Sequence, residues 1–215
     1  MNQALTELIF ILDRSGSMAG LEEDTIGGFN SMLEKQRSLE GEVLVSTVLF
    51  DHEFKVLHNR QPLSSIKPLT RQDYYVRGTT ALLDAIGRSI SKIKTVYSKT
   101  KKESMPDKVM FVIITDGMEN ASIEYGYSTV KKMITAQSNV ADWVFIFLGA
   151  NLDAVGVGQR FGMRKDRIAQ YHADQIGTRL NFDVIGEAVM EFRRSRTVKD
   201  DWKDRVDQDF NARNK

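Results

Sequence analysis

The chain has 215 residues, 41% hydrophobic and 27% charged, with a formal net charge of +1 at pH 7 and no cysteine. That length and balance suit one globular domain with a sizeable core, and near-neutral, interspersed charge gives no electrostatic basis for a nucleic-acid partner or an anionic membrane surface. The absence of cysteine excludes disulfides, thiolate metal sites and thiol catalysis together.

The first apolar run, residues 8–12, is interrupted by Asp13 and Arg14, too early for a signal-peptide core. No later stretch reaches the roughly 18 apolar residues that span a bilayer, so a cytoplasmic location is expected. The run at 8–12 reads as a buried strand, followed by helical spacing over 21–37, where Gly27-Gly28 implies close packing of the helix on the sheet. A second continuous strand is predicted at 43–50, and the alternating segment 54–58 returns from it through a tight hairpin as an antiparallel edge strand. Residues 61–77 carry two prolines and read as loop with about one helical turn.

Helical spacing resumes over 80–97, a third buried strand is predicted at 109–115, a helix at 128–138, and a fourth strand at 143–148. A short strand at 167–171 and a helix at 175–193 complete the pattern. Near-continuous apolar runs indicate strands covered on both faces. Their alternation with helices predicts an α/β fold, a doubly wound, mostly parallel sheet with helices on both faces. Residues 1–195 are expected to form the domain, and 196–215 a charged C-terminal helix or tail. Val198, Trp202, Val206 and Phe210 recur every four residues there, which suits either a solvated, fraying helix or an arm that docks on a partner or on the domain itself.

Chemistry gathers at three places. Asp13, Ser15 and Ser17 follow the first strand, Asp116 follows the third buried strand 109–115, and Thr80 opens the helix at 80–97. In an open parallel sheet, ligands bind beyond the carboxyl ends of the strands, where strand order reverses. An oxygen-only set suits a hard cation such as Mg²⁺ that keeps part of its water shell. Ser15, Ser17 and Thr80 are short neutral donors; Asp13 and Asp116 act directly or through water. Two carboxylates balance a divalent ion and leave a position for an acidic side chain from another molecule, with Arg14 and Arg77 adjacent in sequence to favour it or to form surface salt bridges.

Three motifs in order carry a family resemblance: Asp-x-Ser-x-Ser at 13–17, Gly-x-Thr-x-Leu at 78–82 and Thr-Asp-Gly at 115–117. The chain resembles a von Willebrand factor type A domain with a metal-ion-dependent adhesion site, over most of its length from about Leu5 to Arg193. The resemblance implies a Rossmann-like sheet of about six strands with one antiparallel edge strand. It also implies Mg²⁺ or Mn²⁺ at Asp13, Ser15, Ser17, Thr80 and Asp116, and a partner protein completing the shell with Asp or Glu. Thr79 and Thr80 are adjacent, and Thr80 is preferred because it keeps register with Leu82. The chain is similar to stand-alone intracellular bacterial members, some of which belong to ATPase or stress-response operons.

Two other functions compete with metal-bridged binding. Asp13 as the nucleophile of a Mg²⁺-dependent phosphatase or phosphotransferase lacks a second Asp two residues on, where Ser15 stands. A structural domain whose ion only stabilises it is the other. Gly156-Val157-Gly158 has Phe161 in place of a third glycine, which suits helix packing and not a dinucleotide turn, and there is no phosphate-binding Gly-x-x-x-x-Gly-Lys loop. His52, His58 and His172 are too scattered for a metal cluster. Tyr74 and Tyr75 either border the crevice or divide between core and loop cover, and Glu119 and Asn120 either rim the site or cap the next helix.

Overall fold

The computed structural model describes residues 5–150 and 153–214. Its centre is a six-stranded sheet in the order β3-β2-β1-β4-β5-β6, built from β1 (Thr6–Asp13), β2 (Val43–Phe50), β3 (Phe54–Pro62), β4 (Lys108–Thr115), β5 (Val144–Ala150) and β6 (Ile168–Tyr171). Neighbouring strands are parallel except β2 and β3, which form an antiparallel hairpin. The expected sheet, with its antiparallel edge strand, is therefore the observed one.

Helices cover both faces, which explains the unbroken apolar runs. Leu8, Phe10 and Leu12 of β1 point to one layer, where they meet Phe29 of α1 (Glu22–Arg37) and Phe182 and Ile185 of α5 (Gln175–Ser195). Ile9 and Ile11 point to the other, toward Ile86 and Ile90 of α2 (Leu82–Tyr97), Val130 of α3 (Tyr127–Ala141) and Phe161 after α4 (Ala154–Arg160). Alternation with period two persists in β1, but both sets of positions are buried, so both are apolar.

Gly28 packs differently from the expectation. A Cβ on it would lie 2.4 Å from Phe182 Cδ2, so it admits the close approach of α5 to α1 and not of α1 to the sheet. The two helices are also joined at their C-terminal ends. Arg193 donates to the carbonyls of Gln36 (2.6 Å), Glu40 (3.1 Å) and Leu39 (3.3 Å), supplying a cation and donors to the last turn of α1.

Strand β3 runs past the expected end to Pro62, through a register irregularity opposite Val45 to Val48 and a left-handed Arg60 (φ 49°). The predicted turn in the following loop is a short 3-10 segment, Leu63–Ser65. The carboxyl-terminal segment docks on its own domain: in α6 (Asp204–Arg213), Val206 is buried in the core with Val198, Phe210 stacks on His172, and Trp202 donates its indole N–H to the Asp166 carbonyl. No helix among the described residues is long and apolar enough to cross a membrane.

Candidate metal centre

The strand order reverses between β1 and β4: the chain leaves β1 toward β2 and later returns to place β4 on the opposite side. A crevice opens beyond the carboxyl ends of such a pair. Asp13 ends β1, and Asp116 directly follows β4.

Asp13 is held by both oxygens. Its Oδ1 accepts the Ser15 N–H at 2.7 Å and its Oδ2 accepts the Thr115 hydroxyl, so β4 orients the carboxylate of β1. Burial pushes its pKa up, and these hydrogen bonds oppose the shift. The Tyr74 hydroxyl donates to the Asp13 carbonyl. Tyr74 is buried while Tyr75 is partly exposed, which divides the pair between core and loop cover.

The loop carrying the serines lies beside the loop carrying the threonine. Gly16 N–H donates to the Gly78 carbonyl (3.1 Å) and Arg77 N–H to the Arg14 carbonyl (2.9 Å). Gly78 adopts φ +68°, a conformation that favours glycine, and a Cβ there would fall 2.1 Å from His52 Nδ1 and have to displace that half-exposed ring. Thr80 is then clasped by Asn120: Thr80 N–H donates to Asn120 Oδ1 (2.9 Å) and Asn120 N–H to the Thr80 carbonyl (3.0 Å).

Gly117 shows how closely the hydroxyls converge. A Cβ built on it would sit 2.5 Å from Thr80 Oγ1, 3.0 Å from Ser17 Oγ and 3.2 Å from Ser15 Oγ. Three hydroxyl oxygens from two loops thus surround one point, and any side chain at position 117 would fill the cradle. Ser15 Oγ and Ser17 Oγ are 3.0 Å apart. Thr80 is buried among these groups, and Thr79 is exposed.

Asp116 completes the group and is the anomaly within it. It is 1% exposed, yet neither carboxylate oxygen has a hydrogen-bond partner. Burial raises its pKa to about 6; the Asp13 charge adds to that shift, and the Ser17 hydroxyl, close but outside hydrogen-bond geometry, opposes it. A buried carboxylate without partners is costly. The structure therefore brings Asp13, Ser15, Ser17, Thr80 and Asp116 together as oxygen donors, and two carboxylates with three hydroxyls is donor chemistry that fits Mg²⁺ or Mn²⁺. Among the described residues no cluster of three or more His, Cys, Asp and Glu side chains forms a competing site.

The arginines have a different environment from the one expected. Arg14 is fully buried, with Nε 2.9 Å from Asp51 Oδ2, at ion-pair distance but not aligned as a hydrogen bond. Arg77 Nε is also 2.9 Å from Asp51 Oδ2, and its Nη2 pairs with Glu53. Surface salt bridging describes Arg77 alone.

A supporting network around the site is only partly legible in the sequence. Asp84 accepts the N–H groups of Ile123 (3.0 Å), Glu124 (3.0 Å) and Tyr125 (2.8 Å). Glu119 accepts those of Leu83 (2.8 Å), Ala121 (3.0 Å) and Ser122 (2.8 Å). Together they fasten the loop after β4 to the first turn of α2, so Glu119 caps this preceding helix and not the next one, α3, while Asn120 holds Thr80. Glu119 and Asn120 stand out in the sequence just after Asp116, whereas Asp84 carries no local signal.

No family model matches the chain, and no curated protein matches it. Solved structures do. The vWF domain of the type V pili tip protein Mfa5 from Porphyromonas gingivalis aligns with a TM-score of 0.63 at 9% identity, covering 93% of this chain and 100% of that one. A von Willebrand factor type A structure from Catenulispora acidiphila gives 0.56 at 13% identity, over 87% of this chain and 43% of that one. The PilB minor pilin from Streptococcus sanguinis gives 0.55 at 12% identity, over 89% and 63%. The chain thus spans less than two thirds of the last two. At such identities the likeness is one of architecture, and the architecture is that of a von Willebrand factor type A domain.

Proposed function

We propose that this chain is a divalent-metal-dependent protein-binding module, in which Mg²⁺ or Mn²⁺ held by Asp13, Ser15, Ser17, Thr80 and Asp116 takes an Asp or Glu side chain from a partner protein. The observation that carries the proposal is the buried Asp116 carboxylate, without a hydrogen-bond partner, beside Ser17 and next in the chain to Gly117, around which three hydroxyls converge. A bound ion supplies positive charge and an open coordination position for an anionic oxygen. The chain's own residues supply the rest: Thr115 and the Ser15 N–H fix Asp13, Asn120 fixes Thr80, and Gly117 keeps the cradle clear. That two neighbours in fold are a pilus tip protein and a minor pilin supports an adhesion-type role.

Asp13 is poorly disposed as a nucleophile. It is buried, both its oxygens already accept hydrogen bonds, and the side chain two positions on is a serine, whose hydroxyl is far too weak an acid to serve as a general acid. We therefore read the domain as non-catalytic.

Calorimetric titration with MgCl₂ and MnCl₂ tests the site. Wild-type protein should bind one ion, and Asp13→Ala should weaken binding by about a hundredfold while circular dichroism reports an unchanged fold. Equal affinity in the two proteins would remove the site. Metal binding without metal-dependent retention of any carboxylate-bearing peptide would reduce the ion to a stabilising one.

A further inference from the structure

Two of the loops that carry the oxygen donors meet at a residue that is not among them. Asp51 stands in the turn between β2 and β3, directly after Phe50, the parallel partner of Asp13, and is wholly buried. Its own turn is tied locally: Oδ1 accepts the Glu53 N–H at 2.6 Å, and the Asp51 N–H donates to the Glu53 carbonyl at 3.1 Å. From that fixed point Asp51 reaches both donor loops. Its Oδ2 lies 2.9 Å from Nε of Arg14, the residue between Asp13 and Ser15, and accepts Nε–H of Arg77, the residue before Gly78, also at 2.9 Å. The Asp51 carbonyl accepts the N–H of Ala81, the residue after Thr80, at 2.8 Å. One residue thus holds the first loop at position 14 and brackets the second at 77 and 81.

The loops are bound to each other as well, by the Gly16 N–H on the Gly78 carbonyl and the Arg77 N–H on the Arg14 carbonyl. Arg14 and Arg77 are balanced by Asp51 and Glu53, so this cluster acts on the site by geometry and not by net charge. Geometry matters most for the hydroxyls of Ser15, Ser17 and Thr80, which carry no charge to draw them to a cation, and Mg²⁺ demands a near-ideal octahedron. Groups that orient metal ligands without touching the ion change its affinity by about 10- to 100-fold.

Resting on the metal-bridged reading, we propose that Asp51 is a positioning residue of the metal centre: through Arg14, Arg77 and Ala81 it sets the loop of Ser15 and Ser17 against the loop of Thr80. Two substitutions of opposite charge separate geometry from electrostatics. Asp51→Asn removes a negative charge and Arg77→Gln a positive one, so charge alone would weaken Mg²⁺ binding in the first and strengthen it in the second. Positioning weakens both. Calorimetric titration with MgCl₂ should show a loss of about tenfold or more in Asp51→Asn and a smaller loss in Arg77→Gln, the milder change because that side chain is partly exposed. Glu7→Gln, which opens a buried ion pair at the other end of the sheet, should keep wild-type affinity. In metal-free protein, amide hydrogen exchange should speed up at Gly16 and Ala81 in both site variants, and not at Ile123 and Tyr125, which Asp84 holds independently. Wild-type affinity in Asp51→Asn, tighter binding in Arg77→Gln, an equal loss in Glu7→Gln, unchanged exchange at Gly16 and Ala81, or faster exchange at all four amides overturns the positioning role alone. A wild-type protein that binds no Mg²⁺ overturns the metal-bridged reading and this inference with it.

Discussion

Two acids lie buried near opposite ends of the central strands, and they differ in what surrounds them. Glu7, in β1, is wholly enclosed and fully answered: Arg60 reaches its two oxygens at 2.7 and 3.1 Å, and the Tyr97 hydroxyl donates to it at 2.6 Å. Burial and the Glu7 charge push the Tyr97 pKa up, so that phenol stays a donor. Asp116 is as deeply enclosed and has no hydrogen-bond partner. A buried carboxylate that the protein satisfies by itself ties elements together, here β1, β3 and α2. One that it does not satisfy leaves its interaction to something else.

The sharpest way to break this comparison is to remove Glu7. Glu7→Ala leaves Arg60 without its partner and should cost about 3–5 kcal/mol of stability in urea unfolding, while the affinity for Mg²⁺ stays as in wild type. A large loss of metal affinity in this variant would mean that the two ends are not independent. Asp116→Asn should do the opposite. Without metal, the variant should be no less stable than wild type, because an unpaired buried charge has been removed. It should also lose the metal-induced stabilisation, about 2.7 kcal/mol at a metal concentration of a hundred times Kd. A metal-free protein substantially destabilised by this change would contradict the assignment of Asp116 as unsatisfied.

The smallest effect concerns a buried base. His58 lies on β3 with Nδ1 3.0 Å from Thr47 Oγ1; burial lowers its pKa, and the charge of Asp73 opposes that shift. The unfolded chain takes up a proton near pH 6.5 that the folded chain resists. The folded state is therefore destabilised as pH falls through about 6.5 toward the lower folded value, and the neutral form's contribution is complete above that window. Urea midpoints measured between about pH 7.5 and 5.5 should fall less steeply in His58→Gln than in wild type. Identical slopes would show that His58 is not protected from protonation.

The sequence revealed the buried strands well because both faces are covered, and each long strand except edge strand β3 therefore shows as a continuous apolar run. It hid α4, which is seven residues long and contains two glycines, too short and too glycine-rich for a helical period to emerge. It hid the end of β3 because the irregularity near Arg60 interrupts the alternation. At the centre, Asp13, Ser15, Ser17, Thr80 and Asp116 were legible as residue types in compact motifs. The clasp of Asn120 on Thr80 and the hold of Asp84 on the loop were not, since those bonds join positions about forty residues apart and leave no local pattern. The burial of Arg14 was equally hidden, because its counter-ion Asp51 sits at the end of a different strand.

Helix α6 has a consequence for the chain's colloidal behaviour. A sheet has two open margins, each able to recruit another strand and begin a polymer. Helix α6 lies along β6, and β3 is bent by its irregularity and ends in Arg60, Gln61 and Pro62, poor residues for continued pairing. Both margins are thus blunted. Truncation before Asp204 would uncover the β6 margin and expose Val206's former contacts, and the first sign should be turbidity at high protein concentration, not loss of the fold.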